Sequence, residues 1–154
     1  MTKIAIASDH AGYNLRQHIA GHLKKNGYDI LEFGAENAET AASYVEAGQA
    51  ASVAVLNGQA EKAIVICGTG IGISVVCNKH KGIRCALCAN EYMARMSREH
   101  NDANILAMGE RVVGKALAVS IADAFFDGKF ESGGRHQIRV TEIGNQEERL
   151  FYKI

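Results

Sequence analysis

The stretch IVICGTGIGISVVCNK, residues 64–79, restricts the possible folds of this chain more than any other part of it. Its β-branched start, Ile64–Ile66, predicts a short buried strand that ends at Cys67. A glycine-rich loop then turns the chain sharply and exposes backbone N–H groups, after which Ile73–Lys79 can form a helix. The loop residues are Gly68, Thr69, Gly70, Ile71 and Gly72. A strand, a glycine loop and a helix in this order gather N–H donors around an anion or a developing oxyanion.

Cys67 at the mouth of this loop has two interpretations. A thiol there is well placed to act as a base or a nucleophile, because nearby positive potential favours the thiolate. A cysteine at the end of a buried strand also serves as a small hydrophobic residue. The glycine spacing does not match the dinucleotide fingerprint, which is longer and needs a later acidic residue, or the Walker loop, which needs Gly-Lys-Ser or Gly-Lys-Thr.

Composition and charge narrow the class of protein. The chain has 154 residues, and 17 Lys and Arg balance 17 Asp and Glu, so its net charge does not favour nucleic acid or a membrane surface. No apolar run is long enough to span a bilayer and the start lacks a signal-peptide pattern, so we expect a cytoplasmic protein without membrane partners.

Two of the four cysteines, Cys85 and Cys88, have the spacing of a redox or metal-binding pair. Both lie in a predicted strand, however, and residues three apart on a strand point to opposite faces of the sheet. We therefore expect the two thiols to point apart and to form neither a disulfide nor a metal site.

Apolar periodicity predicts strands that alternate with helices along the whole chain. The predicted strands are Lys3–Ala7, Tyr28–Phe33, Ile64–Cys67, Arg84–Cys88 and Ile105–Met108. The predicted helices are a segment with Leu15, Ile19 and Leu23 that ends at Gly27, and then Ser43–Leu56, Ile73–Lys79, Glu91–Glu99, Val112–Phe126 and the tail Thr141–Ile154. This alternation predicts an α/β fold, a three-layer α/β/α Rossmann-like domain with a five-stranded parallel sheet.

No internal repeat or linker interrupts this pattern, so we expect residues 1–154 to form a single domain. The tail, residues 141–154, is predicted to be helical and to end in a run of exposed apolar side chains. These are Leu150, Phe151, Tyr152 and Ile154. A monomer gains nothing by exposing them, so the tail predicts a subunit contact.

Polar residues follow several of the predicted strands. Asp9 and His10 come after the first strand, at the edge where open α/β sheets bind ligands, although Asp9 has helix capping as an alternative role. His100 and Asn101 lie in a polar cluster before the fifth strand, and Arg111 follows that strand.

Two further cations lie in a predicted glycine-rich loop, Ser132–Arg139. Arg135 and Arg139 are four residues apart, so on a helical turn they project to one side, where they suit a phosphate or a carboxylate. A solvated basic patch is the alternative interpretation of this pair.

These residues together supply a base, an acid, oxyanion donors and cations that bind anions. Such a set fits proton transfer next to the carbonyl group of a phosphorylated small molecule. The sequence offers no evident metal-ligand set, no dinucleotide fingerprint and no aromatic platform for nucleic acid. From the residues alone we therefore expect no metal site, no dinucleotide cofactor and no nucleic-acid partner.

Several motifs of the chain resemble those of the ribose-5-phosphate isomerase type B family, which is grouped with the bacterial galactose-6-phosphate isomerase subunits. The resemblance runs from Met1 to about Val140. The motifs are SDHAG at Ser8–Gly12, ICGTGIGIS at Ile66–Ser74, NK at Asn78–Lys79, GIR at Gly82–Arg84, SREHNDANILAMGERVVG at Ser97–Gly114 and GGRHQIRV at Gly133–Val140.

The resemblance implies an aldose–ketose isomerase that acts on a sugar phosphate through a cis-enediolate, with ribose 5-phosphate and ribulose 5-phosphate as the default pair. Cys67 matches the base that moves a proton between C1 and C2, and His100 matches the acid that opens the furanose ring. The backbone of Gly68–Gly72 would hold the enediolate oxygen with help from Thr69. The positions that match substrate contacts are Asp9, His10, Tyr44, Asn101, Arg111, Arg135 and Arg139.

Within that set, His10, Arg135 and Arg139 match the phosphate-binding residues, and Arg111 joins them from the same chain or from a neighbouring subunit. The resemblance also implies a homodimer or a dimer of dimers with active sites shared between subunits. Related galactose-6-phosphate isomerases work as two unlike subunits, so a sugar-phosphate-binding subunit without catalysis is an alternative. The presence of both Cys67 and His100 argues against it.

One loop departs from the family pattern. Family members usually have Asp-Tyr-Pro-Asp after the second strand, whereas this chain has Ser43-Tyr44-Val45-Glu46. The tyrosine remains, but both aspartates and the proline are replaced. Because this loop lies near the sugar in the family, another aldose phosphate, such as a tetrose, a hexose or a deoxy sugar, is the alternative substrate.

Overall fold

A computed structural model of the protein describes residues 1–151, which form one five-stranded sheet covered by helices on both faces. The strands are β1 (Lys3–Ser8), β2 (Asp29–Gly34), β3 (Lys62–Cys67), β4 (Cys85–Leu87) and β5 (Ile105–Gly109). The helices are α1 (Tyr13–Lys25), α2 (Tyr44–Leu56), α3 (Ile71–Cys77), α4 (Glu91–Asn101), α5 (Lys115–Asp127) and α6 (Arg135–Phe151). The order across the sheet is β2-β1-β3-β5-β4 and every neighbouring pair is parallel, which confirms the predicted fold class.

The two faces of the sheet have separate cores. On the first face, large side chains such as Ile4, Ile6 and Leu106 pack against α1, α4 and α5. On the second face, small side chains such as Ala5 and Ala7 pack against α2 and α3. Strand residues therefore alternate between two buried environments, as is typical of a parallel sheet with both faces covered. Among residues 1–151, no helix is both long and apolar enough to cross a bilayer.

The small side chains of the second face let α2 lie close to the sheet. Ala47, Ala51 and Ala54 recur along one side of α2, and each is at most 1% exposed. The helix begins where the Oγ atom of Ser43 accepts a hydrogen bond from the backbone N–H of Val45, 3.1 Å away. This cap sets the start of α2, so that Tyr44 lies beside the carboxyl ends of the strands.

The largest error in the predicted elements concerns the last helix. Residues Ser132–Arg139 were expected to form a loop, but α6 begins at Arg135 and continues without a break through Thr141. Gly133 has φ of 82° and turns the chain just before the helix. The glycines of this segment therefore mark the start of α6 and do not belong to a long loop. The predicted tail helix is the second part of α6, and Tyr152 and Ile154 lie outside the described residues.

Other element boundaries also differ from the prediction by one to three residues. Helix α3 begins two residues earlier than expected, because Gly70 has φ of 79° and completes the turn before Ile71. Helix α5 begins only at Lys115, after an extended Gly114, so the first residues of the predicted Val112–Phe126 helix form a turn. Strand β4 is shorter than the predicted Arg84–Cys88.

The prediction that the closely spaced cysteines point to opposite faces of the sheet is confirmed. Cys85 packs with the core of the second face, whereas Cys88 belongs to the core of the first face. Burial raises the pKa of Cys88 to about 11, which keeps this thiol protonated and inert near neutral pH. All four cysteines are free.

The loop after β3 lies directly against the end of β5, and a glycine makes this approach possible. A Cβ atom added at Gly109 would lie 2.5 Å from the backbone carbonyl carbon and oxygen of Thr69. Two backbone hydrogen bonds extend the β3–β5 pairing into the loops, from the N–H of Glu110 to Cys67 O and from the N–H of Arg111 to Gly68 O, both 3.0 Å long. The position of the thiol therefore depends on the absence of a side chain at Gly109.

We expect a Gly109→Ala substitution to lower the free energy of unfolding by about 1–3 kcal/mol, because the new methyl group would overlap backbone that cannot rotate away. Urea denaturation with a spectroscopic readout measures this change. The matched control is Gly21→Ala in α1, where an added Cβ has no atom within 4 Å. That substitution should raise stability by about 0.5–1 kcal/mol, as alanine does for glycine in a helix. Equal stability of the two variants would show that the close approach at residue 109 is unimportant.

Candidate functional site

A cavity of about 450 Å³ opens at the carboxyl edge of the sheet, where residues that follow β1, β3 and β5 converge. This is the switch point of the fold, where the strand order reverses. From β1 the chain continues to β2 at one end of the sheet, whereas from β3 it continues to β4 at the other end. We call this cavity the thiol pocket. Its lining residues are Asp9, His10, Ala11, Tyr44, Cys67, Gly68, Thr69, Ile71, Gly72 and Arg111.

Cys67 contributes the only cysteine sulfur among these lining residues. The residue is 4% exposed and packs with the core of the second face, as a small hydrophobic residue would. It also lines the thiol pocket, as a base would have to. The backbone N–H of Gly70 donates a hydrogen bond to its Sγ atom over 3.1 Å. An N–H donor directed at sulfur stabilises negative charge there, which suits a base.

The Thr69 side chain and the close packing at Gly70 hold the glycine loop in place. The Oγ1 atom of Thr69 accepts a hydrogen bond from the N–H of Ile71 over 3.2 Å, so this side chain helps to cap α3. A Cβ atom at Gly70 would lie 2.6 Å from Leu87 Cδ1 and 2.8 Å from the Met108 carbonyl carbon. With its positive φ as well, this position accepts only glycine without strain.

His10 lies at the other side of the pocket and is fixed by the loop that precedes α2. The N–H of Ala42 donates to His10 Nδ1 over 3.1 Å. The same Nδ1 lies 3.4 Å from the carbonyl oxygen of Ala42, and we assign the tautomer from the shorter contact, in which Nδ1 accepts. The proton of the neutral ring is then on Nε2, which is a hydrogen-bond donor. Arg16 holds the start of the same loop by donating to the carbonyl oxygens of Phe33 and Ala35, at 2.6 and 2.8 Å.

Asp9 caps a helical turn and also lines the thiol pocket. Its Oδ1 atom accepts a hydrogen bond from the N–H of Gly12 over 3.0 Å, so it caps the short 3-10 turn His10–Gly12. The same residue is 6% exposed and lines the thiol pocket. A carboxylate held by a backbone donor is preorganised, because its position does not depend on a bound ligand.

Two side chains rest directly on glycines of the loop. A Cβ atom at Gly68 would lie 3.1 Å from a guanidinium nitrogen of Arg111, and one at Gly72 would lie 2.9 Å from the ring of Tyr44. Arg111 thus shares the pocket with Cys67 in the same chain and supplies its positive charge. The tyrosine ring covers the loop at Gly72.

His100 lies elsewhere, in the last turn of α4. Its ring stacks on that of His136, with the ring centroids 3.9 Å apart and the planes inclined by 7°. The Nε2 atom of His136 is 3.6 Å from a carboxylate oxygen of Glu131. We call His100, Glu131 and His136 the imidazole cluster. Arg135 and Arg139 lie beside it in the first turns of α6.

The charges around the imidazole cluster act on His136. Burial lowers the pKa of His136, and positive charge on His100 and Arg135 lowers it further. Arg139 acts in the same direction and Glu131 in the opposite one. The lowered pKa favours a neutral His136 ring near pH 7, which permits the close stack with His100.

The end of α4, which carries His100 and Asn101, is held by an ion-pair network. Asp102 has φ of 45°, a left-handed conformation that is rare for a residue other than glycine. Its carboxylate oxygens lie 3.1 Å from Arg84 and 2.9 Å from Arg98, and both arginines also donate to backbone carbonyls at this turn. Two partly buried cations thus fix the turn that positions the imidazole.

The structure divides the predicted site residues into two groups at opposite edges of the sheet. Helix α4 begins after the carboxyl end of β4 and runs back to the amino end of β5, so His100 lies at the amino edge. The length of β5 alone separates the two edges by about 16 Å at the usual rise per residue. The thiol pocket and the imidazole cluster therefore do not meet within one chain.

Sequence reasoning missed several residues that support these groups. Glu110 accepts a hydrogen bond from the N–H of Leu15 through its Oε2 atom, over 3.0 Å, and so caps α1 from the loop after β5. Its position beside Arg111 in the sequence was the available signal. Glu131 offered no signal, since only the fold brings it to His136.

The chain is similar to characterised proteins over nearly its whole length. The family model described as Ribose/Galactose Isomerase matches residues 4–143. Ribose-5-phosphate isomerase B of Escherichia coli strain K12 is 43% identical over 149 residues, which cover 97% of this chain and 99% of that protein. D-erythrulose-4-phosphate isomerase of Pectobacterium atrosepticum is 35% identical over 147 residues, which cover 96% of each protein.

Solved structures agree with this similarity. The structure of Clostridium thermocellum ribose-5-phosphate isomerase B superposes with a TM-score of 0.93 at 53% sequence identity. The superposition covers 96% of this chain and 99% of that one, so the fold is shared from end to end.

Proposed function

The chain belongs to the ribose/galactose isomerase family, and on that premise we propose that it interconverts ribose 5-phosphate and ribulose 5-phosphate. It is a sugar-phosphate aldose–ketose isomerase, and the ribose pair is the more specific assignment that we add. The observation that carries the proposal is the sulfur of Cys67, buried at the wall of the thiol pocket with the Gly70 amide donating to it.

In this mechanism the Cys67 thiolate removes the proton from C2 of the open-chain aldose. The electrons of the C–H bond form the C1–C2 double bond, and negative charge moves to the oxygen at C1. Backbone N–H groups of the Gly68–Gly72 loop and the hydroxyl of Thr69 stabilise this enediolate. The proton of the C2 hydroxyl passes to the oxygen at C1, and the thiol returns its proton to C1 as the oxygen at C2 becomes the ketone carbonyl. A buried sulfur suits this transfer, because little water is present to compete for the proton.

The imidazole cluster supplies the earlier step. We propose that His100 donates a proton to the ring oxygen of the cyclic sugar while the C1 hydroxyl loses its proton to solvent, so that the bond between C1 and the ring oxygen breaks and the aldehyde forms. Asn101 binds a sugar hydroxyl. Arg135 and Arg139 bind the phosphate together with His10, whose Nε2–H is free to donate. Arg111 adds positive charge from the thiol pocket.

One complete site then requires two chains. Since Cys67 and His100 lie at opposite edges of the sheet, we propose a homodimer in which the thiol pocket of one copy faces the imidazole cluster of the other. Exposed apolar side chains beside both groups support a contact there. Near the thiol pocket, Ile71 is 56% and Val75 is 51% exposed, and on α6 Ile138 is 61% exposed.

We expect Cys67→Ala to lower kcat for ribose 5-phosphate by about 10²- to 10⁴-fold, the usual effect of removing a general base. KM should change little, because the proton transfer is made only in the transition state. A coupled assay of ketose formation measures both constants. The control is Cys88→Ala, which removes another buried thiol outside the pocket and should leave kcat near its wild-type value. Near-normal turnover by Cys67→Ala would refute the thiol base.

The shared site is tested by mixing two inactive variants. When Cys67→Ala and His100→Ala chains are refolded together in equal amounts, each hybrid dimer has one site with both residues intact. We expect the mixture to regain about a quarter of wild-type activity, since half of the dimers are hybrids and half of their sites are complete. Replacing His100→Ala by the double variant Cys67→Ala/His100→Ala in the mixture should abolish the recovery. A mixture as inactive as its parents would place both residues of one site in the same chain.

Another aldose phosphate is the second candidate substrate. The ring of Tyr44 lies against Gly72 in the thiol pocket, and its neighbours Ser43, Val45 and Glu46 are the residues that depart from the expected family motif, which supports a different sugar preference. A relative that is 35% identical acts on D-erythrulose 4-phosphate according to its name, so members of similar sequence differ in substrate.

A panel of phosphorylated aldoses separates these candidates. We expect the highest kcat/KM with ribose 5-phosphate, compared with erythrose 4-phosphate and galactose 6-phosphate, because the chain is more similar to the E. coli ribose-5-phosphate isomerase than to the erythrulose-4-phosphate enzyme. A higher value with a tetrose or a hexose phosphate would transfer the assignment to that sugar. Thermal stabilisation by sugar phosphates without any turnover would identify a binding subunit instead of an enzyme.

A further inference from the structure

The imidazole cluster contains more donor atoms than ring opening needs. One nitrogen of His100, one nitrogen of His136 and a carboxylate oxygen of Glu131 all lie within 4.8 Å of one another. Two imidazoles and one carboxylate are the ligand set of open zinc sites, in which a water molecule completes the tetrahedron. Neither His136 nor Glu131 has a part in the mechanism above.

We propose that His100, Glu131 and His136 form a zinc-binding site, and that zinc bound there inhibits the isomerase by occupying the nitrogen of His100. The first part rests on the geometry of the cluster alone. The second part rests on the proposed function, because it requires His100 to be the acid that opens the sugar ring.

The cluster must contract to hold zinc, and its side chains are free to do so. Tetrahedral zinc with bonds near 2 Å brings ligand atoms to about 3.3 Å from one another. The side chain of Glu131 is 59% exposed and can move inward, whereas His136 is 8% exposed and provides the fixed ligand. The half-buried ring of His100 turns out of the parallel stack, so that the lone pairs of both rings point at one ion.

The surroundings set the strength and selectivity of this site. Arg135 and Arg139 place positive charge beside the cluster, so a dication binds less tightly than at a structural zinc site. Imidazole ligands favour zinc and similar transition metals over Mg²⁺ and Ca²⁺, which prefer oxygen. We therefore expect a reversible site that distinguishes Zn²⁺ from Mg²⁺.

Calorimetric titration of the purified full-length protein with ZnCl₂ tests the site, and Glu131→Gln is the informative variant. We expect the zinc affinity of Glu131→Gln to fall by about tenfold or more, while its kcat without metal stays at the wild-type value. The control is Asp123→Asn, which removes a carboxylate paired with His22 at 2.7 Å, outside any close group of three metal-ligating side chains among residues 1–151. Asp123→Asn should bind zinc as the wild type does. Equal affinity in all three proteins would overturn the zinc site and assign any binding to the cysteines.

Inhibition is measured in the same three proteins with ribose 5-phosphate. Zinc should reduce turnover by the wild type and by Asp123→Asn, a chelator should restore it, and Glu131→Gln should need about tenfold more zinc for the same loss. Binding that depends on Glu131 in a protein without isomerase activity would sustain the zinc site and refute the proposed function. Turnover that zinc leaves unchanged at saturation would overturn the inhibitory role alone.

Discussion

The contact between two backbones, at Gly109 on β5 and at Thr69 in the loop after β3, is the constraint on which the rest of the site depends. Because residue 109 has no side chain, the loop packs against the end of β5, and two backbone hydrogen bonds extend the pairing of β3 with β5. This seating turns the sulfur of Cys67 toward the pocket and places Arg111 over the same loop. One close approach thus positions the thiol, the amide that faces it and a cation.

The parallel sheet imposes a second constraint, because it separates residues that the proposed reaction needs in one site. A helix that connects two parallel strands must return to the amino edge of the sheet, so a residue in its last turn lies far from the carboxyl ends of the strands. His100 is such a residue, and the clamp of Asp102 by Arg84 and Arg98 holds it there. In the proposed homodimer, assembly itself completes the active site, so folding of one chain does not suffice for activity.

The imidazole cluster shows how one arrangement can serve two purposes. The ring of His100, which the proposed mechanism uses as an acid, stacks on that of His136, and Glu131 lies beside His136. The same three side chains form a ligand set for a transition metal. The two uses exclude each other, since a nitrogen that binds a metal cannot donate a proton. Arg135 and Arg139 favour the phosphate substrate over the dication, because their charge attracts one and repels the other.

The sequence by itself determined the fold class and the local elements, because alternating apolar strands and the glycine turn are properties of neighbouring residues. It also predicted that Cys67, His10 and Arg111 follow or end strands, and the structure places all three in the lining of the thiol pocket. It did not determine the start of α6, where Gly133 was interpreted as part of a loop. Only the tertiary structure decided that Cys67 and His100 lie at opposite edges of the sheet, and that Glu131 meets His136. Such contacts join segments distant in the chain, and their formation depends on how whole helices and strands pack.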